Sequence, residues 1–453
     1  MTREGLIMSL IDDKKVLRAS RGAFPTFIRR SEWYLDRIRR YQLNNLKYIL
    51  THAKQHSLWY KETLSKIDIA EFKWSDLEKI PVLNKKDIMD NWDKIITTPA
   101  INFKLACELV KSNAPHSYPY QIVKSGGSTA TPGVYLYDRS AWMSAFNSII
   151  RFFQHESAIQ NIKKRKICRV TLAAPFSNHM TSNLMQHLKN QIEDVYLPVT
   201  MPYNLVLQNL ARCSVDILQG YPSILVRLAY SQKQGEINIQ PGFIISMAEP
   251  LTESVRQLLN KTWSVKIYDA WACGEFGPLA VSCPSCNNLI LNSDHCLIEY
   301  KFNQNSKFSD GVIVTGLHNK VMPLIRYNLG DLVEKSEEIN ECCRHKEVIA
   351  GVLGRPATLF QYGPVKVHGY CFRSVILDYP KLTNYQFQQT VSGIALILDN
   401  SSQLSESQLS EIKSKLTNAL VDVGLKTPEV EILISGNFQK TIAGKIPKFI
   451  PLR

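Results

Sequence analysis

Between residues 105 and 320 the chain alternates short apolar runs with amphipathic stretches, and this alternation constrains the fold more than any other feature. "KICRVTLAA", "VDILQG", "GFIISMA", "SVKIYDAWA" and "DGVIVTGL" have the length and β-branched content of strands. "PSILVRLAYSQKQ" and "TESVRQLLNKTW" lie between several of them and gather their apolar residues on one face of a helix. Strands alternating with helices imply an α/β architecture with largely parallel sheets. Upstream, Trp33, Leu35, Ile38, Tyr41, Leu46, Ile49 and Leu50 recur near a 3.6-residue period and predict helix over 31–66. "PVLNKKDIMDNWDKI" reads as a turn followed by a helix capped at Asn84.

The texture changes near Gly354. "GRPATLFQYGPVKVHGY" is turn-rich, "YQFQQTVSGIALILDN" alternates like paired strands, "SESQLSEIKSKLTNALVDVG" is an amphipathic helix, and "VEILIS" is a further strand. The chain therefore divides into a large α/β domain of mixed, largely parallel sheets over 1–353 and a small α+β domain over 354–453, with a hinge at 354–358. With 453 residues it is too long for one core in any case.

Composition narrows the function classes. A hydrophobic share of 45% and a charged share of 21% are those of a globular protein. No apolar run reaches about 18 residues, so stable membrane insertion is not expected. The first twenty residues lack a secretory pattern, which predicts a cytoplasmic protein. The net charge is +14, yet Lys and Arg are spread along the chain. Even the densest runs, "RIRR" and "KKRK", are not interleaved with aromatics, so a nucleic-acid partner is not expected. The positive field does suit an anionic substrate such as a nucleotide. Ten cysteines in a cytoplasmic chain argue against a disulfide framework. Cys283 and Cys286, in "CPSC", have the spacing of half a tetrahedral zinc site.

Within "VKSGGSTATPGVYLYDR", residues 125–131 pack two glycines, two serines and two threonines behind a β-prone run. Gly126 and Gly127 let backbone amides approach a ligand, and Ser125, Ser128, Thr129 and Thr131 add hydroxyl donors. Such a nest suits phosphate oxygens. Surface loops share this composition, so the loop alone does not decide.

Four more segments give it meaning: "ISMAEPL", "YDAWACGEFGPLA", "MPLIRYNLGDLV" and the terminal "KTIAGKIPKFIPLR". Together with the Ser/Gly/Thr loop, in this order, they resemble the AMP-forming adenylate-forming superfamily. "GYPSILVRLA" and "IPVLNKKDI" are similar to stretches of its branch of phenylacetate–coenzyme A ligases and CapK-like capsule-biosynthesis relatives. The resemblance covers nearly the whole chain. It implies a domain that binds ATP and a carboxylate, closed by a small mobile lid. The carboxylate of a small organic acid is first adenylated. The acyl group then passes to a thiol, that of coenzyme A or of carrier-protein phosphopantetheine. A homodimer is open to such a ligase.

Residue by residue, the resemblance implies that Ser125, Gly126, Gly127, Ser128 and Thr129 hold the β- and γ-phosphates, and that Glu275 reaches Mg²⁺. It implies that Asp331 accepts both ribose hydroxyls, with Arg326 and Tyr327 bracing that site, and that Arg355 contacts ribose or phosphate at the hinge. Lys445 would bridge carboxylate and phosphate from the lid. Trp271 would stack on adenine, with Asp269 on the same strand and Glu249 at a neighbouring strand end also on the nucleotide side. Relatives carry a second Cys pair before the Gly-Arg segment; here Cys342 and Cys343 stand there. Four thiolates, or three with His295 or Cys296 as substitute, would close a structural zinc site. The chain departs from the pattern at Ala130, where glycine is usual, at Trp271–Ala272, where Tyr-Gly is usual, and at Pro356, Ala357 and Thr358, where an acid follows the hinge. These departures keep open a second reading, a catalytically weakened relative that binds nucleotide as a module. Phe176, His179, Tyr221 and Trp271 point to an aromatic or planar acid, although core packing explains the Phe and Tyr equally well.

Overall fold

The computed structural model describes residues 22–111, 120–124, 133–156, 166–173, 192–199, 201–249, 251, 253–302, 309–337, 340–354, 359–363, 365–369, 372, 375–376, 379, 382, 385–399, 404–422, 424–439 and 447–452. The Leu35–His56 helix buries Ile38, Leu46, Ile49 and Leu50 of the predicted apolar period, with Gln42 and Ala53 beside them, while Leu35 at its first turn is exposed. The single helix expected to residue 66 is in fact two. Ser57 adopts an extended backbone, and its Oγ accepts the Tyr60 amide at 3.3 Å to open the Leu58–Thr63 helix. A capping serine thus overrides a continuous apolar period. The Tyr60 hydroxyl donates to the Pro323 carbonyl at 2.9 Å and accepts from the Ile325 amide at 3.2 Å. Asn84 and Asp87 form a reciprocal capping box at the start of the Lys85–Asp90 helix. Just before it, Leu83 bridges Tyr327 in parallel, so both N-terminal features are fastened to the segment that carries Arg326 and Asp331.

The first strands, β1 (Tyr120–Lys124) and β2 (Val134–Asp138), form an antiparallel pair. There follow β3 (Ile167–Ala173), β4 (Ile192–Pro198), β5 (Val215–Gly220), β6 (Phe243–Met247), β7 (Lys266–Cys273), β8 (Gly277–Ser282) and β9 (Leu289–Leu291). Next come β10 (Cys296–Phe302), β11 (Ser309–Gly316), β12 (Tyr327–Asn328), β13 (Leu332–Glu334), β14 (Val348–Ile349) and β15 (Gly351–Gly354). An eight-stranded sheet runs in the order β14-β9-β8-β7-β6-β5-β3-β4. Its pairs from β4 to β7 are parallel, and those from β7 to β14 antiparallel. Every residue of β3 and β5 is buried, as strands covered on both faces require. On one face Leu172, Leu218 and Ile244 pack with Leu225, Leu228 and Leu259 of the Pro222–Lys233 and Glu253–Trp263 helices. On the other, Ile217, Phe243 and Tyr268 pack with Phe153. The fold class is the one that the alternation predicts.

One strand belongs elsewhere. "DGVIVTGL" forms β11 of a separate antiparallel sheet, β10-β11-β12. Six residues separate β10 from β11. A parallel crossover needs a dozen or more, so a hairpin is what this length allows.

Beyond Gly354 lie β16 (Leu359–Tyr362), β17 (Val365–His368), β18 (Tyr385–Gln389), β19 (Gly393–Leu398), β20 (Glu429–Ile434) and β21 (Phe449–Ile450). The last four make a sheet in the order β20-β19-β18-β21, with the Glu406–Asp422 helix between the parallel strands β19 and β20. Phe387, Leu396, Ile412, Leu416 and Leu420 centre a core built from this region alone, a smaller C-terminal domain. Among the described residues no helix is long and apolar enough to cross a membrane.

Candidate nucleotide site

In open parallel sheets, ligands bind beyond the carboxyl ends of the strands. Here that edge is level: Gly220 of β5 pairs with Ser246 of β6, and Met247 with Ala270 of β7. The chain leaves β6 through Ala248, whose φ of 64° turns it sharply to the half-buried Glu249. β7 carries Trp271 across a register shift and reverses into β8, leaving Glu275 in the turn. Glu249 and Glu275 therefore both fall at the strand ends where a ligand crevice is expected.

Trp271 and Asp331, sixty residues apart, are bonded: the indole Nε1–H donates to Asp331 Oδ2 at 3.0 Å. Asp331 is delivered by a turn in which the Gly330 amide donates to Asn328 Oδ1 at 3.1 Å and Gly330 takes a φ of 74°. A side-chain turn followed by a left-handed glycine is what the "NLG" triplet favours. The next residue, Leu332, pairs with Gly354, so Asp331 and the start of the Gly-Arg segment are register neighbours.

Glu275 is buried, and its Oε1 accepts two phenols, Tyr135 at 2.9 Å and Tyr327 at 3.3 Å. Tyr137 donates to the Gly274 carbonyl at 2.8 Å and steadies the same turn. Burial and the charge of Glu275 push the Tyr135 hydroxyl far up, so it remains a donor. Among the described residues no Lys, Arg or His pairs with Glu275. A buried carboxylate without a cation is costly, and this donor set fits a divalent ion at the remaining oxygen.

Arg326 has a different task from direct ligand contact. Its φ is 50°, and its guanidinium forks onto Glu299, Nε to Oε1 at 3.2 Å and Nη2 to Oε2 at 3.1 Å. Its Nη1 donates to the Ile80 carbonyl at 2.6 Å. It braces the "IPVL" segment against β12, as a neighbour of the ribose site would. Asp269 lies against the Glu253–Trp263 helix: burial raises its carboxyl to about 7, and the Arg256 charge opposes the rise. Its amide donates to Ser282 Oγ at 2.8 Å. Ser125, Gly126, Gly127, Ser128, Thr129, Arg355 and Lys445 lie outside the described residues, as do Phe176 and His179.

The four predicted cysteines converge. Sγ separations are 3.7 Å for Cys283–Cys342, 3.6 Å for Cys286–Cys343 and 3.9 Å for Cys342–Cys343, and all four thiols lie within 4.8 Å of one another. Zinc–sulfur bonds of about 2.3 Å place tetrahedral ligands about 3.8 Å apart, so the set fits that ion. Cys283 and Cys286 sit in a tight turn after β8, where the Asn287 amide donates to the Cys283 carbonyl at 2.9 Å. Cys342 and Cys343 lie in a single helical turn ahead of β14. His295 and Cys296 are not substitutes. His295 is buried with Nε2 donating to the Phe276 carbonyl at 2.7 Å, and Cys296 is packed in the large core. Both are committed by the start of β10, which the linear spacing does not reveal.

Sequence reasoning missed Tyr135 and Tyr137. Their signal was "VYLYD", two phenols on one face of a strand buried at its first four residues, where each hydroxyl needs a polar partner.

No protein-family model matches the chain. The chain is similar in structure to 2-hydroxyisobutyryl-CoA ligase in its postadenylation state, with a TM-score of 0.66, 15% identity, and coverage of 91% of this chain and 89% of that one. It is also similar to the anthranilate CoA ligase AuaEII in complex with anthranoyl-AMP, with a TM-score of 0.50, 14% identity, and coverage of 72% and 64%. The fold is thus that of the adenylate-forming CoA ligases. In sequence the chain is similar to Protein CapK of Staphylococcus aureus, 23% identical over 324 residues, which span 70% of this chain and 68% of that protein.

Proposed function

We propose that the protein is an ATP-dependent, AMP-forming carboxylate ligase that adenylates a small organic acid and transfers the acyl group to a thiol, that of coenzyme A or a carrier protein. The observation that carries this reading is that two segments remote in sequence are bonded together at the strand ends: Trp271 to Asp331, and Glu275, four residues after Trp271, to Tyr327, four residues before Asp331, so that three side chains each suited to one part of a nucleotide are gathered there. Trp271 offers adenine a ring face, Asp331 offers the ribose diol a carboxylate, and Glu275 offers the metal an oxygen. The postadenylation ligase of the same fold, with its bound acyl-adenylate, supports the reaction class.

In the first half-reaction a carboxylate oxygen bonds to the α-phosphorus, and the bond to the bridging oxygen breaks to release pyrophosphate. In the second, the thiol sulfur bonds to the acyl carbon, AMP leaves with the electron pair, and the thiol proton passes to solvent. Mg²⁺ neutralises phosphate charge when bound. Asp331 and Trp271 fix the nucleotide so that attack is in line. The loop at 125–129 would hold the outer phosphates, and Arg355 and Lys445 would close from residues 354–453 acting as a lid. Tyr221, the residue after β5, would offer an aromatic acid a ring to pack on. The cysteine cluster would hold a structural zinc, pinning the β8–β9 turn to the segment before β14.

Exchange of labelled pyrophosphate into ATP, across a panel of aliphatic and aryl acids, tests the assignment. Acid-dependent exchange that Lys445→Ala abolishes, with ATP binding kept, is the expected result. ATP binding with no exchange for any acid would instead identify a nucleotide-binding module, and no ATP binding at all would overturn both.

A further inference from the structure

Tyr135 and Tyr327 come from the two segments that flank the crevice. Tyr135 lies on β2, six residues beyond the last residue of the predicted phosphate loop, Thr129, and Tyr327 lies on β12, four residues before Asp331. Both are buried, and among the described residues every hydrogen bond to the Glu275 carboxylate falls on Oε1. We propose that Tyr135 and Tyr327 are positioning residues for the metal-binding carboxylate, holding Oε1 of Glu275 so that Oε2 is the oxygen presented to the divalent cation of bound nucleotide; this rests on the ligase reading above. Two phenols on one oxygen fix the plane of the carboxylate, which a single bond leaves free to rotate. They also distribute its charge without cancelling it, as a lysine would, so the affinity for a cation is retained. Groups that orient a metal ligand in this way set metal affinity nearly as strongly as the ligand itself.

Gly133 belongs to the same device. A Cβ there would lie 2.5 Å from the Tyr135 hydroxyl oxygen, so glycine is what leaves that hydroxyl room to reach Glu275. Strand β2 and the segment that carries Asp331, remote in sequence, thereby meet on one carboxylate oxygen of Glu275.

The test uses the full chain with Tyr135→Phe, Tyr327→Phe, both together, and Glu275→Gln as reference. Mn²⁺ binding in the presence of ATP is read by electron paramagnetic resonance, and ATP binding in EDTA by calorimetry. The double variant is expected to lose about 10- to 100-fold in Mn²⁺ affinity. Metal-free ATP binding should be unchanged, and pyrophosphate exchange should recover at high Mg²⁺. Gly133→Ala, which displaces the Tyr135 hydroxyl and leaves both phenols present, should shift Mn²⁺ affinity the same way. An unaltered Mn²⁺ affinity in the double variant, or an equal loss of metal-free ATP binding, would overturn the positioning role alone. Wild-type protein that binds neither ATP nor Mn²⁺·ATP would overturn the ligase reading with it.

Discussion

The indole nitrogen of Trp271 lies 3.0 Å from Oδ2 of Asp331, so the ring proposed for adenine and the acid proposed for ribose form one unit. A phenol at this position would present its hydroxyl from the ring tip; tryptophan presents its donor from the ring edge and uses it on the neighbouring acid. A hydrogen bond to a charged acceptor contributes about 1.5–3 kcal/mol. Trp271→Phe keeps a ring face and removes the donor. It is expected to raise KM for ATP roughly tenfold with kcat nearly unchanged, the signature of lost uniform binding. Steady-state kinetics would show this, and an unchanged KM would mean that the bond does not order Asp331.

Arg326 holds the N-terminal segment by charge. Its guanidinium is bonded to Glu299 and to the Ile80 carbonyl, with side-chain exposures of 9% for Arg326 and 19% for Glu299. Burial raises the Glu299 carboxyl, and Arg326 is the partner that draws it back down. Removing one member strands the other, which costs about 3–5 kcal/mol for a fully buried pair and somewhat less for this one. Arg326→Met is expected to lower the urea midpoint markedly, and Arg326→Met with Glu299→Met to recover most of the loss. Arg326→Lys should not rescue, since an ammonium lacks the planar fork. Equal midpoints for the single and double methionine variants would show that the pair is not the brace.

Much of this was legible in the sequence because it is local. The parallel strands, the Asn84 cap and the turn at Gly330 each follow from residues within a few positions. The capping action of Ser57 was present in the sequence too, but an apolar period running through it outweighed a single hydroxyl. What was not legible depends on closure of distant segments. Nothing in the linear sequence links Tyr135 to Glu275, and only the resemblance to relatives, not local spacing, pointed the adjacent Cys342 and Cys343 toward the "CPSC" turn. The same limit left His295 among the zinc ligands until the start of β10 fixed it against Phe276.

His295 makes stability depend on pH. Burial, and then the nearby His318, lower its imidazole from 6.5 to about 4. Nε2 donates to the Phe276 carbonyl, so Nδ1 carries the lone pair, buried and without a hydrogen-bond partner. The unfolded chain takes up a proton here below pH 6.5 and the folded chain does not until about pH 4, so stability is present above 6.5 and drains away as pH falls toward 4. The full effect is about 3 kcal/mol. Asp294, which Arg151 holds below its usual range against the opposing effect of burial, loses its contribution only at lower pH. His295→Gln keeps a donor for Phe276 and removes the titration. Unfolding free energies between pH 7 and 4.5 should fall more steeply for the wild type than for this variant, and parallel curves would remove His295 as the cause.

The cysteine cluster predicts a metal content. Four thiols with separations of 3.6–3.9 Å along the measured edges leave a cage that matches zinc, and Cys283 and Cys343 are buried within it. Deprotonated thiolates packed this closely would repel one another strongly without a cation between them. The cluster joins the turn after β8, the strand that follows Glu275, to the approach to β14, so it stiffens the antiparallel edge of the main sheet. Protein purified without chelators should contain one zinc per chain by elemental analysis, and cobalt substituted for it should show a tetrahedral thiolate spectrum. Cys343→Ser or removal of the metal should lower the melting temperature by several degrees, since the binding energy of a structural zinc is folding energy. Affinity for ATP should change far less, because none of the four sulfurs contacts Glu275, Trp271 or Asp331. Metal-free protein with an unaltered melting temperature would mean that these thiols are packed side chains and no more.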